Sequence, residues 1–296
     1  MTTRSTIIAV LVVIELAIIG EAVVAVRGGQ SFPPFAQRGE ARSPSGPRLI
    51  EGGPHQVFDA GAHPMLTVDI GYADLTILTN SAPQIDVSLS ETTTSGLFNE
   101  SAPIVAREDG QLVRIADVDS HGWATGDDRM VTVLVPPETQ VTVVEAGDIK
   151  ASGLRAEASL KSVGSGTITV EDFDAPALQV ASRGSITLRR IVAAHLDAKS
   201  RGDSVEGSAL QVRNGSIDSD DQVTLGFAAG ADTLVSAVTK DGKISTSGFP
   251  ETASADADKS SQDNDDGASQ RVRVGAGEGR LDVRTSDGDI KLAEED

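Results

Sequence analysis

Beyond residue 55 apolar and polar residues alternate with a period of two, and no segment carries a sustained helical stripe. The clearest stretches are LTVDIGYADLTIL (66–78), QIDVSLSE (84–91), LVRIADV (112–118), VTVLVP (131–136) and VTVVEA (141–146). Each is rich in β-branched residues and stops at Gly, Pro, Asp or Asn, which predicts short strands joined by tight turns.

In the second half the pattern repeats. Leu160 to Ile168 (LKSVGSGTI) aligns with Leu178 to Ile186 (LQVASRGSI) and with Leu196 to Val205 (LDAKSRGDSV). A shorter copy is Leu210 to Ile217 (LQVRNGSI), and looser ones run from Val235 to Ile244 and from Leu281 to Ile290. The step is 19 residues from Gly147 to Gly166, then 18 to Gly184 and 18 to Gly202. A Leu-x-Val/Ala strand points alternate residues inward. A polar-Gly pair turns the chain, glycine being expected there for its freedom at positive φ. The following Ile or Val then re-enters the core. Laps of about 18 residues cannot bury an apolar stripe alone and must stack. The expectation is an all-β, single-chain β-solenoid (β-helix-like) over 55–292, preceded by one N-terminal transmembrane helix. An antiparallel sandwich of hairpins would use the same turn residues, but the regular spacing favours laps. The segment 271–292 reads as the last coil.

The run VTVLVPPETQVTVVEAGDIKASGL (131–154) and the Leu-x-Val/Ala-x-Ser/Thr-x-Gly-x-Ile units after it resemble a bacterial β-strand-repeat family of unknown function, often labelled "putative adhesin". The similarity covers about 60–292. It implies a surface location behind a membrane helix and supplies no catalytic residues.

The N-terminus has a different character. Residues 7–26, IIAVLVVIELAIIGEAVVAV, are interrupted only by Glu15 and Glu21. As a helix they would span about 30 Å, the thickness of a hydrocarbon core. The run exceeds the apolar stretch of a signal peptide, so residues 1–27 read as an uncleaved signal anchor. Val23-Val24-Ala25 would be the cleavage site in the alternative reading. Glu15, near the helix midpoint, reads as a protonated acid, with a contact to a partner helix as the alternative. Residues 28–54, rich in Gly, Pro and Arg, read as a flexible linker. Arg4 precedes the helix, whereas Arg27, Arg38, Arg42 and Arg48 follow it, an order that favours a cytoplasmic body. Long domains often translocate regardless of flanking charge, and an extracytoplasmic body is the expected topology.

Composition narrows the function classes. The 296 residues carry a net charge of −19 and only 3% aromatics, a poor endowment for nucleic-acid binding or a ring-lined pocket. With no cysteine, disulfides and thiolate chemistry are excluded. His55, His63, His121 and His195 show no metal-ligand spacing. Residues 251–270, with six acids against one lysine, read as a disordered acidic insertion, and 91–106 as a second loop.

Specific chemistry is sparse. Aligned on Gly267, the calcium-loop pattern needs an acid at 262 and a Glu at 273, which are Gln and Arg. Asp263, Asp265 and Asp266 therefore read as a solvated loop, with a loose cation site as the alternative. His121-Gly-Trp123 with Asp127, Asp128 and Arg129 reads as a cap on the core, with a sugar-contacting loop as the alternative. Gly275-Ala-Gly277-Glu-Gly279 lacks the spacing of a phosphate loop. Asn99 and Asn214 open glycosylation triplets, which arise by chance. No catalytic, cofactor-binding or metal-binding residue and no cofactor is assigned. The expected partners are the membrane, through the N-terminal helix, and another membrane or envelope protein, with no nucleic acid. The expected function is a non-enzymatic, adhesin-like binding or structural module. The alternatives are a cytoplasmic membrane-tethered scaffold or signalling accessory, and a polysaccharide-acting enzyme on a β-helix.

Overall fold

The structure, a computed structural model, describes residues 55–92, 104–117, 128–249 and 267–295. Of the chain's two units, Met1–Gly46 lies outside the described residues and Pro47–Asp296 contains all of them. The anchor segment 7–26, with Glu15, is thus outside, as are His121, Trp123, Asp127, Asn99 and residues 250–266. Among the described residues no helix is long and apolar enough to cross a membrane.

The body is all-β. Its first half comprises β1 (His55–Asp59), β2 (Met65–Asp69), β3 (Asp74–Thr79), β4 (Gln84–Thr92), β5 (Ile104–Asp109), β6 (Leu112–Asp117), β7 (Asp128–Val135), β8 (Gln140–Ala146), β9 (Ile149–Ser152) and β10 (Ala158–Ser162). Then come three long strands, β11 (Ile168–Ser182), β12 (Ile186–Ser200) and β13 (Val205–Ser219). The chain ends with β14 (Val223–Phe227), β15 (Thr233–Thr239), β16 (Ile244–Ser247), β17 (Ala268–Val274), β18 (Gly279–Thr285) and β19 (Ile290–Glu294).

In the central laps, each strand pairs in parallel with the strand one repeat away. Ile168 pairs with Ile186 at an offset of 18 residues, and the register holds to Ser182 and Ser200. Ile149, Ile168, Ile186, Val205, Val223, Ile290 and Ile244 form one continuous cross-strand row. A second row runs through Phe173, Ile191, Leu210 and Phe227. These side chains belong to one continuous core of small aliphatic residues in which Phe58, Phe173 and Phe227 are the buried rings. Stacking is what hides each stripe, because a single lap has no second layer of its own.

Each long strand changes direction; the register between β11, β12 and β13 holds through the bend, whereas β13 shifts against β14 there. In β11 the buried positions run 168, 170, then 173, 175, then 178, 180, 182, so the alternation skips a residue twice. The first skip falls on Asp172, whose φ is 54°. Arg190 and Ala209, one and two laps on, have φ of 54° and 51°. A left-handed conformation at a non-glycine residue costs about 1–2 kcal/mol. Its recurrence in three successive laps marks a corner imposed by the stack. Nothing in the strand pattern announced it.

A polar ladder runs inside the turn edge. Ser162, Ser182, Ser200, Ser219, Thr285 and Thr239 are all buried. The Ser200 Oγ lies 2.8 Å from the carbonyl oxygens of both Gly184 and Asp203, which share its one proton. Ser219 donates to Asp203 O at 2.7 Å, Thr285 to Asp221 O at 2.7 Å and Thr239 to Gly288 O at 2.9 Å. These bonds offset the desolvation of the hydroxyls and tie one lap's strand end to its neighbour's turn.

The structure corrects the sequence reading at four points. First, Gly166 and Gly184 are not at positive φ. A Cβ on Gly166 would lie 2.5 Å from Gly147 O, and one on Gly184 would lie 2.3 Å from Ser165 O. Glycine is required there by the close approach of successive laps. Second, Gly215 is no turn residue. It sits within β13 opposite Leu196, while Leu210 faces Ile191 and the turn falls at Asp220-Asp221. Third, laps do not stack in chain order. Strands β2 and β3 lie between β6 and β8 and between β7 and β9, respectively. Likewise β18 lies between β13 and β15, and β19 between β14 and β16. The segment read as the last coil is thus last in the chain but internal to the stack. Fourth, antiparallel pairs occur beside the parallel ones: β1 with β4, β4 with β7, β5 with β6 and β15 with β17. Part of the hairpin alternative is therefore present, at the ends. Residues 268–270 of the expected insertion open β17, and 104–106 of the expected second loop open β5.

Candidate cationic groove

The out-of-order stacking at the C-terminal end builds a groove of about 770 Å³ along the turn edge. Its first wall is an outward row across four strands, in which Lys199 pairs with Asp218, Asp218 with Arg284, and Arg284 with Val238. The inward residues just beyond them are the buried Ser200, Ser219, Thr285 and Thr239. Two residues on, the chain has turned the corner and presents Arg201, Asp220, Ser286 and Lys240 as the second wall. Backbone bonds hold this second row: Ser286 N donates to Ser219 O at 3.3 Å, Asp287 N to Asp220 O at 3.1 Å, and Lys240 N to Thr285 O at 3.2 Å. The ladder hydroxyls form the floor, and their hydrogen bonds to backbone carbonyls keep them from serving as free donors.

Charge gives the groove its character. Lys199, Arg201, Lys240 and Arg284 are exposed and outnumber Asp218 and Asp220 on a chain whose total is −19. None of these six side chains takes part in an ion pair among the described residues. Arg189 and Arg190, by contrast, are neutralised locally: Arg189 by Glu171 at 3.0 Å, and Arg190 by Asp172 through two bonds of 2.5 and 3.0 Å. The hydrogen bond from Arg190 holds the Asp172 carboxyl below its usual value. At the other end of the body, burial pushes Asp69 up, helped by the neighbouring carboxylates of Glu145 and Asp117. Asp117 itself is buried against Arg129 at 3.1 Å.

The residues singled out by sequence do not converge. His55 pairs with Asp86 at 2.6 Å, His195 with Asp197 at 2.9 Å, and His63 is exposed. Asn214 lies within β13 and accepts the Arg280 N–H at 3.2 Å. Gly275-Ala-Gly277-Glu-Gly279 carries the chain over the start of β15, from β17 on one side to β18 on the other. Asp263, Asp265 and Asp266 lie outside the described residues. Among the described residues no group of three or more His, Asp or Glu is arranged to hold a metal ion. The groove was invisible in the sequence because its residues come from 199–201, 218–220, 238–240 and 284–286. The one usable signal was the recurrence of a basic residue directly beside a repeat Ser or Thr, as in Lys199-Ser200-Arg201, Arg284-Thr285 and Thr239-Lys240.

Fold and groove together define an all-β protein of largely parallel, in-register strands with a charged cleft along one edge. No family model matches the chain, and no curated protein matches it. Two solved structures are similar. One is a "putative cell adhesion protein" from Clostridium sporogenes ATCC 15579, 10% identical with a TM-score of 0.34, covering 81% of this chain and 99% of that one. The other is a "putative adhesin" from Bacteroides fragilis NCTC 9343, 13% identical with a TM-score of 0.47, covering 84% of this chain and 97% of that one.

Proposed function

We propose that this chain is a β-solenoid binding or structural module of a bacterial envelope, adhesin-like and non-enzymatic, tethered by its N-terminal helix with the body outside the cytoplasm. The observation that carries the reading is the lap register. Because Ile168, Ile186 and Val205 stack one above another, the outward residues of the same laps also form continuous rows along the axis. A surface of ordered rows suits contact with an extended partner better than it suits enclosure of a small substrate. The apolar run 7–26 and the linker 28–54 supply the tether and the reach. Protease treatment of intact cells tests the topology. Release of body peptides is the expected result, and a body protected until the membrane is breached overturns it.

One observation favours a second reading. Arg27, Arg38, Arg42 and Arg48 follow the apolar run, the placement typical of a cytoplasmic flank. On this reading the body is a membrane-tethered cytoplasmic scaffold. Reporter fusions at the C-terminus, one active only in the cytoplasm and one only outside it, separate the two.

A further inference from the structure

We propose that the cationic groove binds an acidic polysaccharide, its cations engaging carboxylates on alternate sugars and its acids engaging the hydroxyls of the neutral sugars between them. The inference goes beyond the envelope reading, because binding is measured on purified protein whichever side of the membrane the body occupies.

The order of charges across the laps selects the ligand class. One lap offers Lys199 and Arg201, the next Asp218 and Asp220, the third Arg284 and Ser286, and the fourth Val238 and Lys240. Neighbouring strands stand about 4.8 Å apart, so the four laps span roughly 14 Å. The cations thus lie roughly 10 and 5 Å apart along the axis, with an acidic lap in between. A ligand of evenly dense charge would meet repulsion at the Asp218–Asp220 lap. A chain with a carboxylate on every second sugar spaces its anions by roughly the 10 Å that separates Lys199 from Arg284, and it places the hydroxyls of the neutral sugar between them over the two aspartates, with Lys240 one strand beyond. Ser286, exposed on the rim, adds a neutral hydroxyl.

Nucleic acid fits less well. Its closely spaced phosphates face a chain of net charge −19, and no aromatic ring lines the groove to stack a base. A peptide of consecutive acids would set carboxylates over the two aspartates as well as over the cations. Lys199, Arg201, Arg284 and Lys240 are exposed and free of ion pairs among the described residues, so no existing contact must be broken for a ligand to dock.

The test uses the purified full chain in nonionic detergent, titrated by calorimetry with hyaluronan oligosaccharides, which carry one carboxylate on every second sugar. Dextran of matched length is the uncharged control, and poly-glutamate and single-stranded DNA are the competing anions. Binding of the hyaluronan oligosaccharide that weakens with salt, and that falls at least tenfold in the Lys199→Glu, Arg284→Glu double variant, is expected. Lys199→Gln, Arg284→Gln should give a smaller loss in the same direction, and Arg189→Glu, on another face, no loss. Far-UV circular dichroism confirms that each variant is folded. No binding by the wild-type chain, equal binding of dextran, tighter binding of poly-glutamate or DNA, or unchanged affinity in both groove variants would each overturn the proposal.

Discussion

Replacing Gly184 by alanine separates two reasons for a glycine at the lap turn. Its φ lies outside the left-handed region, so alanine meets no intrinsic backbone penalty there. The new Cβ would, however, lie 2.3 Å from Ser165 O and 2.7 Å from Gly166 O, both backbone atoms of the preceding lap. In a core packed to crystal-like density that lap must yield by roughly an ångström. Such a shift compromises three bonds: Gly184 N to Ser182 Oγ at 2.8 Å, Ser200 Oγ to Gly184 O at 2.8 Å, and Ser182 Oγ to Gly166 O at 2.5 Å. At about 0.5–1.5 kcal/mol net for each, the loss is about 3 kcal/mol. For a domain of this size that lowers Tm by roughly 6–12 °C. Gly110→Ala is the comparator: its φ is +65° and nothing lies within 4 Å of its Cβ. That variant should lose only the left-handed strain of about 1–2 kcal/mol. Thermal and urea unfolding of the full chain in nonionic detergent, followed by circular dichroism, ranks the two. If Gly184→Ala costs no more than Gly110→Ala, the close-approach argument is wrong.

Four other substitutions or truncations follow from the same geometry. Ser200→Ala removes the one proton that the Gly184 and Asp203 carbonyls share and leaves a buried acceptor unsatisfied, which should cost about 1–3 kcal/mol in urea unfolding, whereas Ser200→Thr should cost less than about 1 kcal/mol, because Thr285 and Thr239 occupy equivalent rungs. Ala209→Gly relieves a φ of 51° and should stabilise by about 0.5–1 kcal/mol after the greater freedom of an unfolded glycine is subtracted; a lower Tm would contradict the corner assignment. Asp69 is raised by burial, then by Glu145 and Asp117. The folded state therefore binds its proton more tightly than the unfolded state, and wild-type stability falls as pH rises from the ordinary carboxylate range through the raised value. Asp69→Asn should gain on wild type at pH 7 and lose that advantage below about pH 4; a difference in stability independent of pH would refute this. Ending the chain after Glu278 removes β18 and β19, which link β15 and β16 to the rest of the stack, and proteolysis should then digest from β15 onward.

The alternation in VTVVEA and QIDVSLSE defined strands on sight, and β8 and β4 cover both. Lap length was equally legible: Gly166 to Gly184 spans 18 residues, and Ile168 pairs with Ile186 at that offset. Each follows from local rules, namely a side-chain period of two and a turn that recurs with the core position it feeds. Leu210 to Ile217 was misaligned because a Gly in a strand and a Gly in a turn look alike in sequence. The fold explains that glycine twice over: its φ is 153°, and a Cβ there would lie 1.8 Å from Leu196 O.

What the chain's letters determined by themselves is therefore the all-β character, the repeat and the identity of most inward residues. Tertiary structure alone decided which lap lies on which, where the antiparallel strands cap the rows, and that Lys199 faces the same cleft as Arg284 and Lys240. The physical reason is degeneracy. Repeated laps expose nearly equivalent edges, so local pattern permits many stacking orders, and only the complete set of pairings, with its turns and end strands, selects one.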